Sequence, residues 1–311
     1  MYFPYFRGKQ YELITIRESA SLIANAGFVP IIEPVKESLS GLEKALDALC
    51  EANGKGIVII NPIYGDHSAN GQNITTLLSD QIDKYSNVSV GILLTDKTIL
   101  AHVVELYHAH AKNHSISLIH AGFKDTKSLT ETIPAPASHI FFETYCGKLY
   151  RKHFQANTRA LLRDGFKKRR NADHPDIEAF SDLHVTYSEE NVEGFGDFLT
   201  VGDDYQESGG PAYAIAIHLT FIDDEQDDEM YIYHFKSERK NSPKDPAGKF
   251  MEALDSMIQE LNKPNCKVLE TEAVAEFRAL HQRRHFPGLG YVKKLSMKHH
   301  IETLAHYFNH S

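Results

Sequence analysis

Several apolar runs in this sequence end on polar residues whose types could hold an anionic small molecule and move protons around it. Arg7 and Lys9 follow the run Tyr2 to Phe6, Glu33 follows Val29 to Ile32, and Asn61 follows Gly56 to Ile60. Asp96 follows Val88 to Leu94, His120 follows Ser115 to Ile119, Glu143 follows Ser138 to Phe142, and Arg163 and Asp164 follow Thr158 to Leu162. Arginine and lysine at Arg7, Lys9 and Arg163 would bind carboxylate or phosphate oxygens, with Asn61 adding an amide. Glu33, His120 and Asp197 are the side chains suited to general acid/base work or to a divalent cation. Strands stop at polar residues in any fold, so the plain reading of the same set is a solvated rim.

Glu33 is the most constrained of these. It lies between Ile32 and Pro34 at the end of an apolar run, and a carboxylate there needs a partner to offset its desolvation. Lys9 or Arg7 could supply it. Such a pair is either a salt bridge between neighbouring strands or a tuned acid/base.

Histidine is abundant, at 18 residues. His110 with His114, and His306 with His310, have the spacing that stacks two rings on one helix face, but neither pair sits in an HExxH pattern. Exposed helix histidines account for both. His218 and His234, in two late strands, could face inward together, although hydrogen-bonded core histidines are commoner than metal ligands. Two glycine-containing segments add candidates. Phe195-Gly196-Asp197, Gly202-Asp203-Asp204 and Ser208-Gly209-Gly210-Pro211 gather carboxylates that could hold a divalent cation, without calcium-loop spacing. The run from Arg283 to Tyr291 places basic residues before a Gly/Pro turn that opens a helix, where backbone N–H groups could receive an anion. Walker, GxSxG, kinase and Cys/His zinc patterns are absent from the sequence.

The elements that position these residues repeat one unit through the first half: a short β-branched run, a polar turn and an amphipathic helix. Seven strands are expected, at about 2–6, 28–35, 56–61, 88–94, 115–119, 138–142 and 158–162. Short strand–helix–strand connections imply parallel strands with right-handed crossovers. The solutions are an eight-unit barrel or a doubly wound open sheet. The compact units and the lack of a Gly-rich dinucleotide loop after the first strand favour a TIM-like parallel β/α barrel. In such a fold the strand-end residues above converge on one mouth. Residues 1–164 supply seven units. Residues 165–311 break the rhythm, with a long loop over 165–190, strand-like runs at 195–201, 212–222 and 229–236, and helices near 246–261, 270–282 and 291–309. This partly antiparallel, helical third either closes the barrel or forms an appended lobe.

Composition excludes several classes. Of 311 residues, 42% are hydrophobic and 24% charged, which suits a globular protein and not a disordered one. No stretch approaches the roughly 20 apolar residues of a membrane span, and nothing near Met1 resembles a secretory leader. Cys50, Cys146 and Cys266 are an odd number without CxxC spacing, which suits a reducing compartment. A cytoplasmic location is expected. The net charge of −9 argues against nucleic acid as the main partner, despite the basic run Lys167 to Arg170; that run and the acidic one from Asp223 to Glu229 read as solvated loops.

The N-terminus also carries a resemblance. Tyr2-Phe-Pro4-Tyr-Phe-Arg7-Gly-Lys9-Gln-Tyr-Glu12, then Val29-Pro30-Ile-Ile-Glu33-Pro34, resembles the opening of the "beta protein" family, named for a protein of T-even phages. The likeness returns at Phe195-Gly196-Asp197. It implies a TIM-like barrel from a phage-conflict or mobile-element setting, and it marks Lys9, Glu33 and Asp197. Arg7 stands where relatives often carry lysine. The resemblance supplies no reaction. The chain is therefore expected to be a barrel enzyme acting on a phosphorylated or nucleotide-like ligand, or a non-enzymatic component binding a protein partner. A divalent cation is compatible with the first.

Overall fold

A computed structural model describes residues 1–133, 136–154, 158–207 and 209–310. The chain folds as two compact units, Met1–Arg163 with Leu183–Phe198, and Asp164–Asp182 with Leu199–Ser311.

Unit 1 is a parallel barrel. Its strands are β1 (Tyr5–Phe6), β2 (Ile31–Ile32), β3 (Gly56–Ile59), β4 (Val88–Thr95), β5 (Ile116–Ala121), β6 (Ser138–Phe142) and β7 (Thr158–Leu162). β8 (Ile177–Ser181) belongs to unit 2, and the eighth barrel strand is β9 (Gly194–Gly196). Each neighbouring pair is parallel. The ring closes where Tyr2 bridges Phe195 in parallel, with Phe3 N–H donating to Phe195 O at 2.8 Å and Tyr5 N–H to Asp197 O at 2.9 Å. The helices between strands are α1 (Gln10–Glu18), α2 (Ala20–Asn25), α3 (Ser40–Glu51), α4 (Gln72–Asp80), α5 (Leu100–His110), α6 (Thr126–Thr132) and α7 (Lys148–Arg151), with the short α8 (Leu183–Thr186) before β9. The helix expected over residues 10–26 is split at Ser19.

Alternation along each strand decides which side chains enter the barrel. One buried cluster draws on every barrel strand or its immediate flank, including Tyr5, Ile31, Ile59, Leu93, Ile119, Phe142, Leu162 and Phe198. The intervening residues face the surrounding helices. Strands buried on both faces read as continuous apolar runs, which is why they were visible in the sequence.

Unit 2 pairs β10 (Ala216–Asp223) and β11 (Glu229–Lys236) as an antiparallel hairpin, with β8 on the outer edge of β11. Ile217, Leu219, Phe221 and Phe235 form a core with α9 (Pro246–Leu261), α10 (Glu272–Gln282) and α11 (Leu289–His310). Residues 177–181 are a strand and not part of the loop expected there. Their mixed exposure on a sheet edge gives no clear period. Residues 212–215 precede β10, and 199–201 form a 3₁₀ turn. No helix among the described residues is long and apolar enough to cross a membrane.

Candidate functional site

The carboxyl ends of β1 and β2 build the most constrained polar group in unit 1. Tyr5 and Ile31 point into the barrel, so alternation sends Arg7 and Glu33 to the same side, one step further toward the mouth. Their side chains form an ion pair, with Glu33 fully buried and Arg7 nearly so. Glu33 Oε2 also accepts from Tyr5 Oη at 2.8 Å, and Oε1 accepts from the Ile63 N–H at 3.0 Å. The partner left open between Lys9 and Arg7 is Arg7. Lys9 stands half-buried at the N-cap of α1.

Aromatic rings enclose the guanidinium. Its central carbon lies 4.7 Å from the ring centre of Tyr64, 5.2 Å from that of Tyr5 and 5.8 Å from that of Phe198. Arginine stacks well on aromatic faces because it is planar and weakly hydrated. Two glycines permit this approach. Gly8 has φ of +63°, and a Cβ there would come 2.9 Å from the Glu33 carbonyl oxygen. Gly65, next to Tyr64, has φ of +69°, and a Cβ there would overlap the Val35 carbonyl. The buried Glu12 carboxylate, on the first turn of α1, accepts the Arg7 backbone N–H.

The other strand-end candidates divide. Asn61 stands at the end of β3 on the interior side, and its amide is committed to the barrel wall: Nδ2 donates to Leu93 O at 2.9 Å, and Oδ1 accepts from Leu93 N–H at 2.8 Å. Arg163 meets Glu143 from the neighbouring strand end through two hydrogen bonds of 2.6 and 2.9 Å, both side chains being about a third exposed. Asp164 lies in unit 2, where it accepts the backbone N–H groups of Phe166 and Asp203.

His120 and Asp197 do not join the mouth. Each is one residue from an inward position, Ile119 and Phe198 respectively, so both face outward. Asp197 accepts from Tyr2 Oη at 2.7 Å. His120 is fully buried, with Nδ1 2.8 Å from Tyr150 Oη and Nε2 2.9 Å from His139 Nδ1. Phe141 and Phe154 pack on its ring. Burial, reinforced by the neighbouring His139, holds His120 well below the usual histidine range. Burial and then the charge of Arg159 bring His139 down to about 4. His120 is therefore a neutral packing group on the helix side of the wall.

The remaining sequence candidates are resolved in similar terms. His110 and His114 are buried, against the expectation that they are exposed, whereas His306 and His310 are exposed. The basic run is matched within unit 2: Lys167 and Arg169 pair with Glu178, Lys168 with Asp204, and Arg170 with Asp173. Lys267 sits among Asp223, Asp224 and Glu225 of the acidic run. Arg284, before the turn into α11, pairs with Asp255 at 3.0 Å. Of the carboxylates in the glycine-containing segments, Asp204 pairs with Lys168 in unit 2 and Asp197 holds Tyr2 in unit 1, while Ser208 lies outside the described residues. Tyr5, Tyr64 and Phe198 were missed as site residues. Tyr5 was recoverable from its two-residue spacing to Arg7, but the loop position of Tyr64 leaves no such signal.

Unit 1 is thus a closed parallel β/α barrel with an enclosed arginine–glutamate pair at its carboxyl end. No family model matches the chain, and no curated protein sequence is similar to it. Among solved structures it is similar to a noncanonic maltogenic α-amylase, AmyB from Thermotoga neapolitana, with a TM-score of 0.41 and 7% identity over 66% of this chain and 69% of that one.

Proposed function

We propose that the barrel binds a small phosphorylated or nucleotide-like molecule at its mouth, with Arg7 as the anion-recognising group and Glu33 as its resident counter-ion. The observation that carries this reading is the Arg7–Glu33 pair itself. It sits at the end of the barrel where parallel β/α folds hold their ligands, among aromatic faces suited to a planar group. A phosphate oxygen pair matches a guanidinium as well as a carboxylate does, so an incoming anion would exchange with Glu33. The released carboxylate would then be placed to accept a proton from the ligand. Lys9 follows Arg7 on the same strand end, whereas the charge of Arg163 is matched by Glu143.

A second reading is favoured by one specific observation. His120 and Asp197 face away from the mouth, which leaves Glu33 as the one acid/base among the three sequence candidates. Under this reading the barrel is a binding component without turnover. The resemblance of the N-terminus supports a phage-conflict or mobile-element setting for either.

Thermal melting across a panel of nucleotides and sugar phosphates tests the proposal. The expected result is a rise in Tm with at least one phosphorylated ligand, lost in Arg7→Met and altered in Glu33→Gln. Conversion of that ligand, followed by chromatography, separates the enzyme from the binding component. A folded protein whose Tm moves with no member of the panel would overturn the anion reading and favour a component that binds a protein partner.

A further inference from the structure

Among the described residues, the one group of three or more metal-capable side chains is His174, His218 and His234. All three lie in unit 2. His218 and His234 are directly opposed across the β10–β11 hairpin. They occupy the face turned away from the cluster of Ile217, Leu219, Phe221 and Phe235. His174, just before β8, lays its ring on that of His234 with centres 4.3 Å apart. One nitrogen from each ring can be chosen so that all three lie within 4.8 Å of one another.

We propose that these three histidines form a site for a zinc-like divalent ion, with the fourth position left to water or an anionic ligand. Zn–N bonds of about 2.0–2.1 Å in tetrahedral geometry separate ligand nitrogens by about 3.3 Å. That spacing falls between the 2.7 Å from His218 Nδ1 to His234 Nδ1 and the outer limit of the cluster. Small side-chain rotations therefore assemble it.

Two observations point to a ligand set beyond simple packing. His234 Nε2 lies 3.2 Å from Glu178 Oε1, the carboxylate–histidine arrangement that fixes the tautomer of a metal ligand and leaves the other nitrogen with its lone pair. Glu178 is itself anchored by Lys167 and Arg169. In addition, His174 Nδ1 is buried with no hydrogen bond, Glu178 Oε1 standing 3.9 Å away, so the nitrogen is incompletely satisfied within the chain. Three imidazoles with one carboxylate outside them favour a borderline ion such as Zn²⁺ or Co²⁺ over the oxygen-seeking Mg²⁺ or Ca²⁺.

The test uses the full chain, stripped with chelator and dialysed against Zn²⁺ or Co²⁺ at micromolar free concentration. One ion per chain is expected, with the visible absorption of low-coordinate Co²⁺. His218→Ala should abolish stoichiometric binding, and Glu178→Gln should weaken it roughly 10- to 100-fold. The double variant His306→Gln/His310→Gln, on the exposed end of α11, should bind as the wild type does. Because truncation of a buried ring could unfold unit 2, the wild-type measurement decides independently. A chain that takes up neither ion, or whose binding follows His306 and His310 and survives His218→Ala, overturns the assignment.

Discussion

Arg7 and Glu33 follow adjacent parallel strands, and their opposite charges meet in a buried ion pair just beyond an apolar barrel interior. Removal of one member leaves the other buried without its ion-pair partner, which costs about 3–5 kcal/mol, whereas removal of both leaves no broken pair. Urea denaturation of Arg7→Met, Glu33→Gln and the double variant should show a double mutant no less stable than the worse single one. Additive losses would mean that the two side chains do not act as a pair.

Gly8 sets the approach of β1 to β2 at that point. A side chain there meets both a positive φ and the Glu33 carbonyl. Gly8→Ala should destabilise the protein by about 1–3 kcal/mol. It should also weaken any ligand that depends on Arg7. An unchanged urea midpoint would show that the turn has slack.

The buried imidazoles predict acid sensitivity. His139 has a folded value of about 4 against an ordinary 6.5, so between those values the unfolded chain takes up the proton first. Its contribution is complete above pH 6.5 and is lost as pH falls toward 4. Its size is on the order of 3 kcal/mol. His139→Gln should be less stable than the wild type at pH 7.5, and the two stability curves should converge as pH approaches 4. Parallel curves would remove His139 from the acid response.

Lys249 is buried in α9, and its ammonium donates to the carbonyls of Ala212 and Tyr213 at 2.8 Å each and to that of Ser242. Lys249→Met keeps the stem and strands those oxygens. A loss of several kcal/mol is expected from the unpaired acceptors, read as a lower Tm. Little or no change would imply that water replaces the ammonium.

The strands of unit 1 were legible because burial on both faces gives unbroken apolar runs. That same property hid the phase of each strand. In Leu118-Ile119-His120 every residue is buried, so nothing in the run says that Ile119 faces the barrel and His120 the helices. Arg7, Glu33 and Asn61 stand two residues beyond interior side chains; His120 and Asp197 stand one residue away. Parity separates the two sets, and parity needs one known inward residue per strand. The histidine cluster was half legible, since His218 and His234 fall on facing strands, but His174 lies in a stretch whose strand was not recognised.

The barrel's last strand arrives late. Between β7 and β9 the chain departs into unit 2 for residues 164–182 and then returns. During synthesis, seven strands emerge with β1 and β7 as raw borders, and a chain cut after Arg163 would keep both exposed. Unpaired borders of this kind recruit other chains, so a shortened version of this protein should precipitate unless residues 183–198 are supplied with it.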